Sequence, residues 1–427
     1  MTLTSSARTA PADDVAGAVP GSPLGRCFGA AAAALPTEHW NTAPLLVRAA
    51  ERVAQGGRAD FDDLFSAAAV DELLGPRALR TPFFTMVKDG KGLPRSSFTR
   101  QAVAGNQQLS DLPDSDGIAR AYADGATIVL QALHRTFPPL AGFCRDLAAE
   151  LGHQCQVNVY VTPPGAQGFK PHHDTHDVVV LQVAGRKHWT IHPPVVELPV
   201  KSQPTTMLGP DPVAGRAPVI DTVLEPGDAL YLPRGWLHSA RTADDRSVHL
   251  TIGLLATTWA DVLTDAVASA GHDDVELRRA LPLPDGDLDV AGFRAAAARW
   301  LENLDDAAVR RLVERRRAGA VPAEPVGPLA QDATVRALAA DTHLRRRRGL
   351  RTRLQEGPDV VELVLPDRRV SFPGWVRPAL EHVLDSATTS PAQVAAAAPA
   401  LDVGDALVLL RRLLREHVLL PVAGESS

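Results

Sequence analysis

From Gln156 to about Leu255 the chain is cut into short runs rich in Val, Ile, Thr and Tyr, at 156–162, 177–183, 187–192, 218–223, 229–232 and 247–254, with Pro and Gly between them. Runs this short, so regularly punctuated, read as strands, and a series of strands must pair or cover every edge. An antiparallel barrel or jelly roll meets that requirement by closure.

The flanking sequence has a different period. Residues 24–76 are largely helical, with apolar spacing of three and four at Leu45, Leu46, Ala49 and Val53 and a short strand-like run at Pro44–Val47. The stretch 83–90 alternates and then turns, as a strand does. Residues 117–134 and 137–151 read as two amphipathic helices covering one side of a sheet. After Thr257 helical spacing returns, at 259–270 and 289–316, where Phe293, Ala297, Trp300, Leu301, Leu304, Val309 and Leu312 recur on one stripe. From about 330 the order is helix, basic loop, strands at 359–364 and 368–371, helices at 374–385, 391–398 and 403–416, then a terminal strand, the outline of a winged-helix-like domain. The expected organisation is therefore α+β. A disordered tail at 1–23 precedes a barrel flanked by helices at 24–257, a helical region at 258–329 and a winged-helix-like domain at 330–427.

Composition narrows the function classes. At 427 residues more than one core is expected, and 45% hydrophobic with 22% charged residues reads as globular. A net charge of −6 argues against coating nucleic acid by bulk charge. Cys27, Cys144 and Cys155 are too few and scattered for a disulfide framework or a Cys-rich zinc site, and read as buried small hydrophobes. No run reaches the roughly 20 apolar residues of a membrane span, and no basic start precedes an apolar block, so a cytoplasmic address is expected.

The chemistry concentrates at Pro171-His172-His173-Asp174 and at Leu232-Pro233-Arg234-Gly235-Trp236-Leu237-His238. His172 and Asp174, two apart on a strand, share a face, while His173 points away. With His238 they offer two imidazoles and one carboxylate, the donor set of non-haem Fe(II) sites that leave one side open for oxygen. His176 is the runner-up ligand; His188, His192 and His249 are nearby in sequence and read as surface or core histidines. Asp228, in Glu225-Pro226-Gly227-Asp228, reads as a turn former. If Gly185-Arg186 makes a turn, Lys187, Trp189 and Ile191 face one way and Arg186, His188 and Thr190 the other. An inward lysine in a small barrel needs an anion, which the distal carboxylate of a dicarboxylic keto acid would supply; a lysine on the solvent face of a hairpin is the competing reading. Asn158, Tyr160 and Thr162 form the polar face of the strand before the ligands, suited either to a polar cavity or to an edge facing water.

Asn158-Val159-Tyr160-Val161-Thr162-Pro163-Pro164-Gly165, Gln167-Gly168-Phe169 and Pro171-His172-His173-Asp174-Thr175-His176-Asp177 resemble the JmjC-type, cupin-like dioxygenases of the ribosomal oxygenase group. Val180-Leu181-Gln182-Val183, Gly185-Arg186-Lys187 and Tyr231-Leu232-Pro233-Arg234-Gly235 with His238 fit the same pattern. The resemblance covers residues 35–260 and extends more loosely to the C-terminus. It implies a double-stranded β-helix (jelly-roll/cupin) barrel, a helical dimerisation region making a homodimer, and a C-terminal winged helix. It further implies that His172, Asp174 and His238 bind Fe(II), that Lys187 pairs with the far carboxylate of the co-substrate 2-oxoglutarate, and that Asn158 and Tyr160 line the same pocket. His173 stands where the family usually has an aromatic residue, a change expected to alter packing only.

The activity so implied is O2-dependent hydroxylation of an amino-acid side chain of a protein or peptide, a ribosomal protein arginine or histidine among them, with 2-oxoglutarate decarboxylated to succinate. Competing readings are a hydroxylase of a peptide natural product with the same centre, a ligand-sensing cupin regulator whose winged helix binds DNA, and a zinc cupin without redox chemistry. The Arg runs at 315–317 and 345–348 read as solvated helix face or loop, and the acidic total charge weighs against a nucleic-acid partner.

Overall fold

The computed structural model describes residues 21–422, and residues 1–20 of the expected N-terminal tail lie outside them. The chain divides into two compact units, Met1–Asp261 and Val262–Ser427.

In the first unit, helices α1 (Pro23–Phe28), α2 (Ala49–Ala54), α3 (Ala67–Leu74), α4 (Ser115–Ala123) and α5 (Pro138–Leu151) accompany thirteen strands among the described residues. These are β1 (Leu45–Val47), β2 (Phe84–Lys88), β3 (Lys91–Gly92), β4 (Thr99–Ala104), β5 (Gln107–Pro113), β6 (Thr127–Leu130) and β7 (Gln154–Thr162). They continue as β8 (Asp177–Gly185), β9 (Lys187–His192), β10 (Ile220–Leu224), β11 (Ala229–Leu232), β12 (Leu237–Arg241) and β13 (Ser247–Leu255). Eight form one sheet in the order β1-β11-β8-β13-β7-β6-β2-β3; β10-β9-β12 form a second, and β4-β5 a separate hairpin. Isolated bridges Gln167↔Arg241 and His172↔His238 add the segment before β8 to the free edge of β12. This is a double-sheet jelly roll, as the strand spacing predicts.

Two cores hold it. β8 is buried on both faces: Val179, Leu181 and Val183 join Phe84, Leu130, Leu147 and Val159 in the larger core, while Val178 and Val180 meet Trp189, Ile191, Leu224 and Leu230 in a smaller one. Each such aliphatic side chain contributes roughly 1.5–3 kcal/mol relative to exposure. The chain passes from β8 to β9, and so from one sheet to the other, through Gly185. Its φ is +61°, and a Cβ there would lie 1.7 Å from the Arg246 carbonyl oxygen, so only glycine fits.

One expectation fails here. The second half of 117–134 is not helical: α4 ends at Ala123, and Thr127-Ile128-Val129-Leu130 is the buried strand β6, paired with β2 and β7. A short apolar run buried on both faces carries no period that separates strand from helix.

The second unit contains α6 (Trp259–Asp273, whose first turn belongs to the first unit), α7 (Val290–Glu302), α8 (Asp306–Ala320) and α9 (Pro328–Ala337). The single helix expected over 289–316 is broken at 303–305, where the Asp305 carboxylate caps α8 by accepting from Ala308 N–H at 2.6 Å. Beyond come β14 (Leu344–Arg346), β15 (Arg353–Gly357), β16 (Val360–Val364), β17 (Arg369–Pro373), α10 (Arg377–Asp385), β18 (Thr388–Thr389), α11 (Pro391–Ala397), α12 (Val403–Arg415) and β19 (Leu419–Pro421). β15-β16-β17 form one small sheet and β18-β14-β19 another, around Leu344, Leu380, Leu410 and Leu413. The basic run 345–348 is thus half strand rather than loop. Arg345 forks onto Glu324 at 2.7 and 2.8 Å, Arg346 donates to Leu384 O, and Arg347 donates to Glu324 O. No helix among the described residues is long and apolar enough to cross a membrane.

Candidate metal centre

His172, just before β8, and His238, on β12, are paired directly. His172 N–H donates to His238 O at 3.0 Å and His238 N–H to His172 O at 2.7 Å, which sets their rings 4.4 Å apart. Asp174 lies two residues beyond His172, with Oδ2 3.7 Å from His238 Nε2. One ligand atom from each of these three residues lies within 4.8 Å of the others.

The two imidazoles are oriented alike. His172 Nδ1 meets the Lys170 carbonyl at 2.8 Å, and His238 Nδ1 meets the Trp236 carbonyl at 3.0 Å. A carbonyl can only accept, so each Nδ1 carries the proton and each Nε2 keeps its lone pair for a cation. Burial, reinforced by the His172 charge, holds His238 down at about 4, so it is neutral at pH 7. Burial pushes the Asp174 carboxyl up, but His238 and His172 outweigh it, and the group sits below the ordinary carboxylate range. Two imidazoles with Nδ1 engaged by carbonyls and one carboxylate fit a divalent cation.

A second layer locks the segments carrying these ligands. Asp177, fully buried, accepts from Tyr231 Oη at 3.0 Å and from Arg234 N–H at 2.9 Å, and pairs with the Arg234 guanidinium at 3.2 Å. Gly235 N–H donates to Asp174 O at 3.1 Å. The turn before His238 is thereby tied to the segment that carries Asp174.

The cavity beside the triad is lined by Thr127, Tyr160, Phe169, Val178, Lys187, Trp189, His249 and Thr251, among others. Lys187 faces in with Trp189 and Ile191, as the alternation of β9 requires, and is only 4% exposed. Nζ donates to Thr162 Oγ1 at 3.0 Å, no carboxylate among the described residues pairs with it, and burial pulls its pKa down to about 7. Tyr160 lines the cavity with its phenol held protonated, first by burial and then by the Asp174 charge. Asn158 is not among the lining residues: its Oδ1 accepts from Ala132 N–H at 2.9 Å.

His192, at the end of β9, is buried and outside the triad's cluster. The His173 ring is buried away from the triad, with Nε2 at 3.0 Å from Gln203 O. His188 pairs outward with Asp221 at 2.6 Å. His176 is not in the triad's cluster, and its ring occupies the space a Cβ on Gly253 would need. Asp228 closes its turn by accepting from Glu225 N–H, and also accepts from Ala49 N–H and Arg48. Sequence reasoning missed Thr127, hidden in the stretch misread as helix, and the site position of Trp189, whose alternation with Lys187 signalled it. It also took His249 for an ordinary core histidine, although polar His249 and Thr251 alternate within an otherwise apolar β13.

A jelly roll presenting two histidines and a carboxylate on paired segments, with an inward lysine beside them, is the arrangement expected of a cupin-like metal centre. The JmjC domain family matches residues 134–262. Ribosomal oxygenase 1 of Bos taurus is 33% identical over 58% of this chain and 36% of its own length. The Drosophila persimilis bifunctional lysine-specific demethylase and histidyl-hydroxylase NO66 is 42% identical over 58% of this chain and 34% of its own. The match thus spans about a third of each relative. Among solved structures, the Escherichia coli ribosomal oxygenase YcfD superposes with a TM-score of 0.52 at 17% identity, over 91% of this chain and 97% of that one, a likeness of fold. Residues 134–262 thus match the JmjC domain family, and 58% of the chain is similar to proteins named as ribosomal oxygenases.

Proposed function

We propose that this protein is an Fe(II)- and 2-oxoglutarate-dependent oxygenase that hydroxylates a side chain of a protein substrate. His172, Asp174 and His238 would hold the iron, and Lys187 the far carboxylate of 2-oxoglutarate. The observation that carries the reading is Lys187, a buried cation without a carboxylate partner beside a three-donor centre. Burying such a charge is costly unless an anion joins it.

Iron and 2-oxoglutarate together would supply activation of O2, with loss of CO2 from the keto acid and transfer of one oxygen to the substrate. The chain's own part is positional. Lys187, steadied by Thr162, fixes one end of the co-substrate; Tyr160 offers a protonated hydroxyl; Asn158, two residues before it on β7, is held by Ala132 N–H; Trp189, Phe169 and Val178 exclude water. The relatives' names favour a ribosomal protein as substrate with histidine as the oxidised residue, and the sequence resemblance adds arginine as the alternative.

The second unit supports two further readings. The order α10, β18, α11, α12, β19 fits a winged helix, here in a structural role because Arg345, Arg346 and Arg347 are engaged within the unit. Leu263 and Val267 on α6 and Phe293 and Leu301 on α7 are 49–63% exposed, an apolar surface suited to a second copy of this chain. Iron-dependent succinate formation, lost in His172→Ala and in Lys187→Ala, with a +16 Da peptide from a ribosomal-protein digest, tests the main reading. Turnover of 2-oxoglutarate by the Lys187→Ala protein at the wild-type rate would refute it.

A further inference from the structure

We propose that His249 is a second contact for the far carboxylate of the co-substrate, donating a hydrogen bond from its imidazole beside Lys187. The inference rests on the oxygenase reading and deepens it. His249 sits on β13 with 3% of its surface exposed, and its side chain lines the cavity. Its ring is clamped by aromatic neighbours, stacked on Tyr160 at 5.0 Å and 8° and edge-on to Trp189 at 5.4 Å and 83°. Yet it forms no hydrogen bond with any described residue, and Nδ1 is wholly buried. A buried, unpaired imidazole N–H costs about 1–3 kcal/mol and calls for an explanation.

The surroundings restrict that explanation. Burial, and then the Lys187 charge, hold the imidazole well below its ordinary range, so it is neutral, with one N–H to give. Lys187 is the cation nearest in this electrostatic sense, and it too lacks a carboxylate. An ammonium bonded only to a hydroxyl and an imidazole with no hydrogen-bond partner among the described residues, both lining one cavity and buried, suit a carboxylate, which accepts from both at once. Packing alone would be served as well by phenylalanine, which stacks on Tyr160 without burying an N–H.

The test uses the full-length protein with Mn(II) in place of iron, titrated calorimetrically with 2-oxoglutarate and with 2-oxobutanoate, which has the same keto acid head but no far carboxylate. His249→Phe is expected to weaken 2-oxoglutarate about tenfold, some 1.4 kcal/mol, and to leave 2-oxobutanoate within about twofold. An affinity for 2-oxoglutarate within about twofold of wild type, or an equal loss for both keto acids, overturns the proposal. Lys187→Ala separates the layers. If it keeps 2-oxoglutarate affinity, the carboxylate-site reading itself fails; if it loses affinity while His249→Phe does not, only the role of His249 fails. On the wild-type protein with 15N-labelled histidine, 2-oxoglutarate is expected to shift one imidazole N–H resonance of His249 downfield and protect it from exchange. An unchanged resonance on saturation overturns the proposal without any variant.

Discussion

His172 and His238 hold each other by their main chains: each gives its N–H to the other's carbonyl, at 3.0 and 2.7 Å, so the backbone pairing itself brings the rings to 4.4 Å. The candidate metal centre is therefore arranged by strand pairing, without a cation. The consequences can be measured.

Because Asp177 ties the Asp174 segment to the turn before His238, its loss should loosen the centre without touching a ligand. Asp177→Asn is expected to destabilise the protein by about 3–5 kcal/mol, since it leaves the buried Arg234 charge uncompensated. It should also weaken metal binding by roughly 10–100-fold, as outer partners of ligands do. Chemical denaturation and competitive chelator titration would check the two effects separately.

On the proposed reading, Lys187 makes co-substrate binding depend on pH. Its pKa of about 7 lies below the ordinary 10.5, so the folded protein gives up this proton more readily than the unfolded chain. The penalty is fully present below about pH 7 and disappears as pH rises toward 10.5. Without co-substrate, the melting temperature relative to Lys187→Met should therefore climb between pH 7 and 9. Binding of 2-oxoglutarate should run the other way, weakening above pH 7 because the charged lysine is needed. Calorimetry in buffers of different ionisation enthalpy should detect proton uptake on binding at pH 8 and none in Lys187→Met.

Gly235 permits the turn that delivers His238. Its φ is +91°, and a Cβ would meet the Val196 carbonyl oxygen at 2.5 Å and Pro199 Cδ at 2.8 Å. Gly235→Ala should destabilise by roughly 1–3 kcal/mol and displace His238, lowering metal occupancy. Metal content of the purified protein, alongside its melting temperature, checks this.

With Arg345 committed to Glu324 and Arg346 and Arg347 to backbone carbonyls, the second unit should not hold duplex DNA. No electrophoretic retardation is expected at 0.15 M salt with micromolar protein. Glu324→Ala should lower the unit's stability by about 1–2 kcal/mol, through the charge-assisted bonds it accepts; circular dichroism melting would read it.

The barrel was legible in sequence because its Val- and Ile-rich runs fall between Pro and Gly, and its donors because side chains alternate along a strand. Val and Ile runs between Pro and Gly announced β7 to β11 and β13, and the same alternation put Lys187 with Trp189 and separated His173 from His172 and Asp174. β6 was not legible, since Thr127–Leu130 is buried throughout and has no alternation to read. Nor was β12, whose Leu237-His238-Ser239-Ala240-Arg241 mixes polar and apolar residues and becomes a strand only by pairing with β9.

Local sequence thus determined which residues could be donors and which way each points along its own strand, because side-chain direction follows from the backbone over two or three residues. What belonged to tertiary structure was which strands became neighbours. Pairing across long loops is set by burial of the whole sheet, so only the fold could bring His238 against His172, leave Lys187 without a carboxylate partner among the described residues, and line the same cavity with His249.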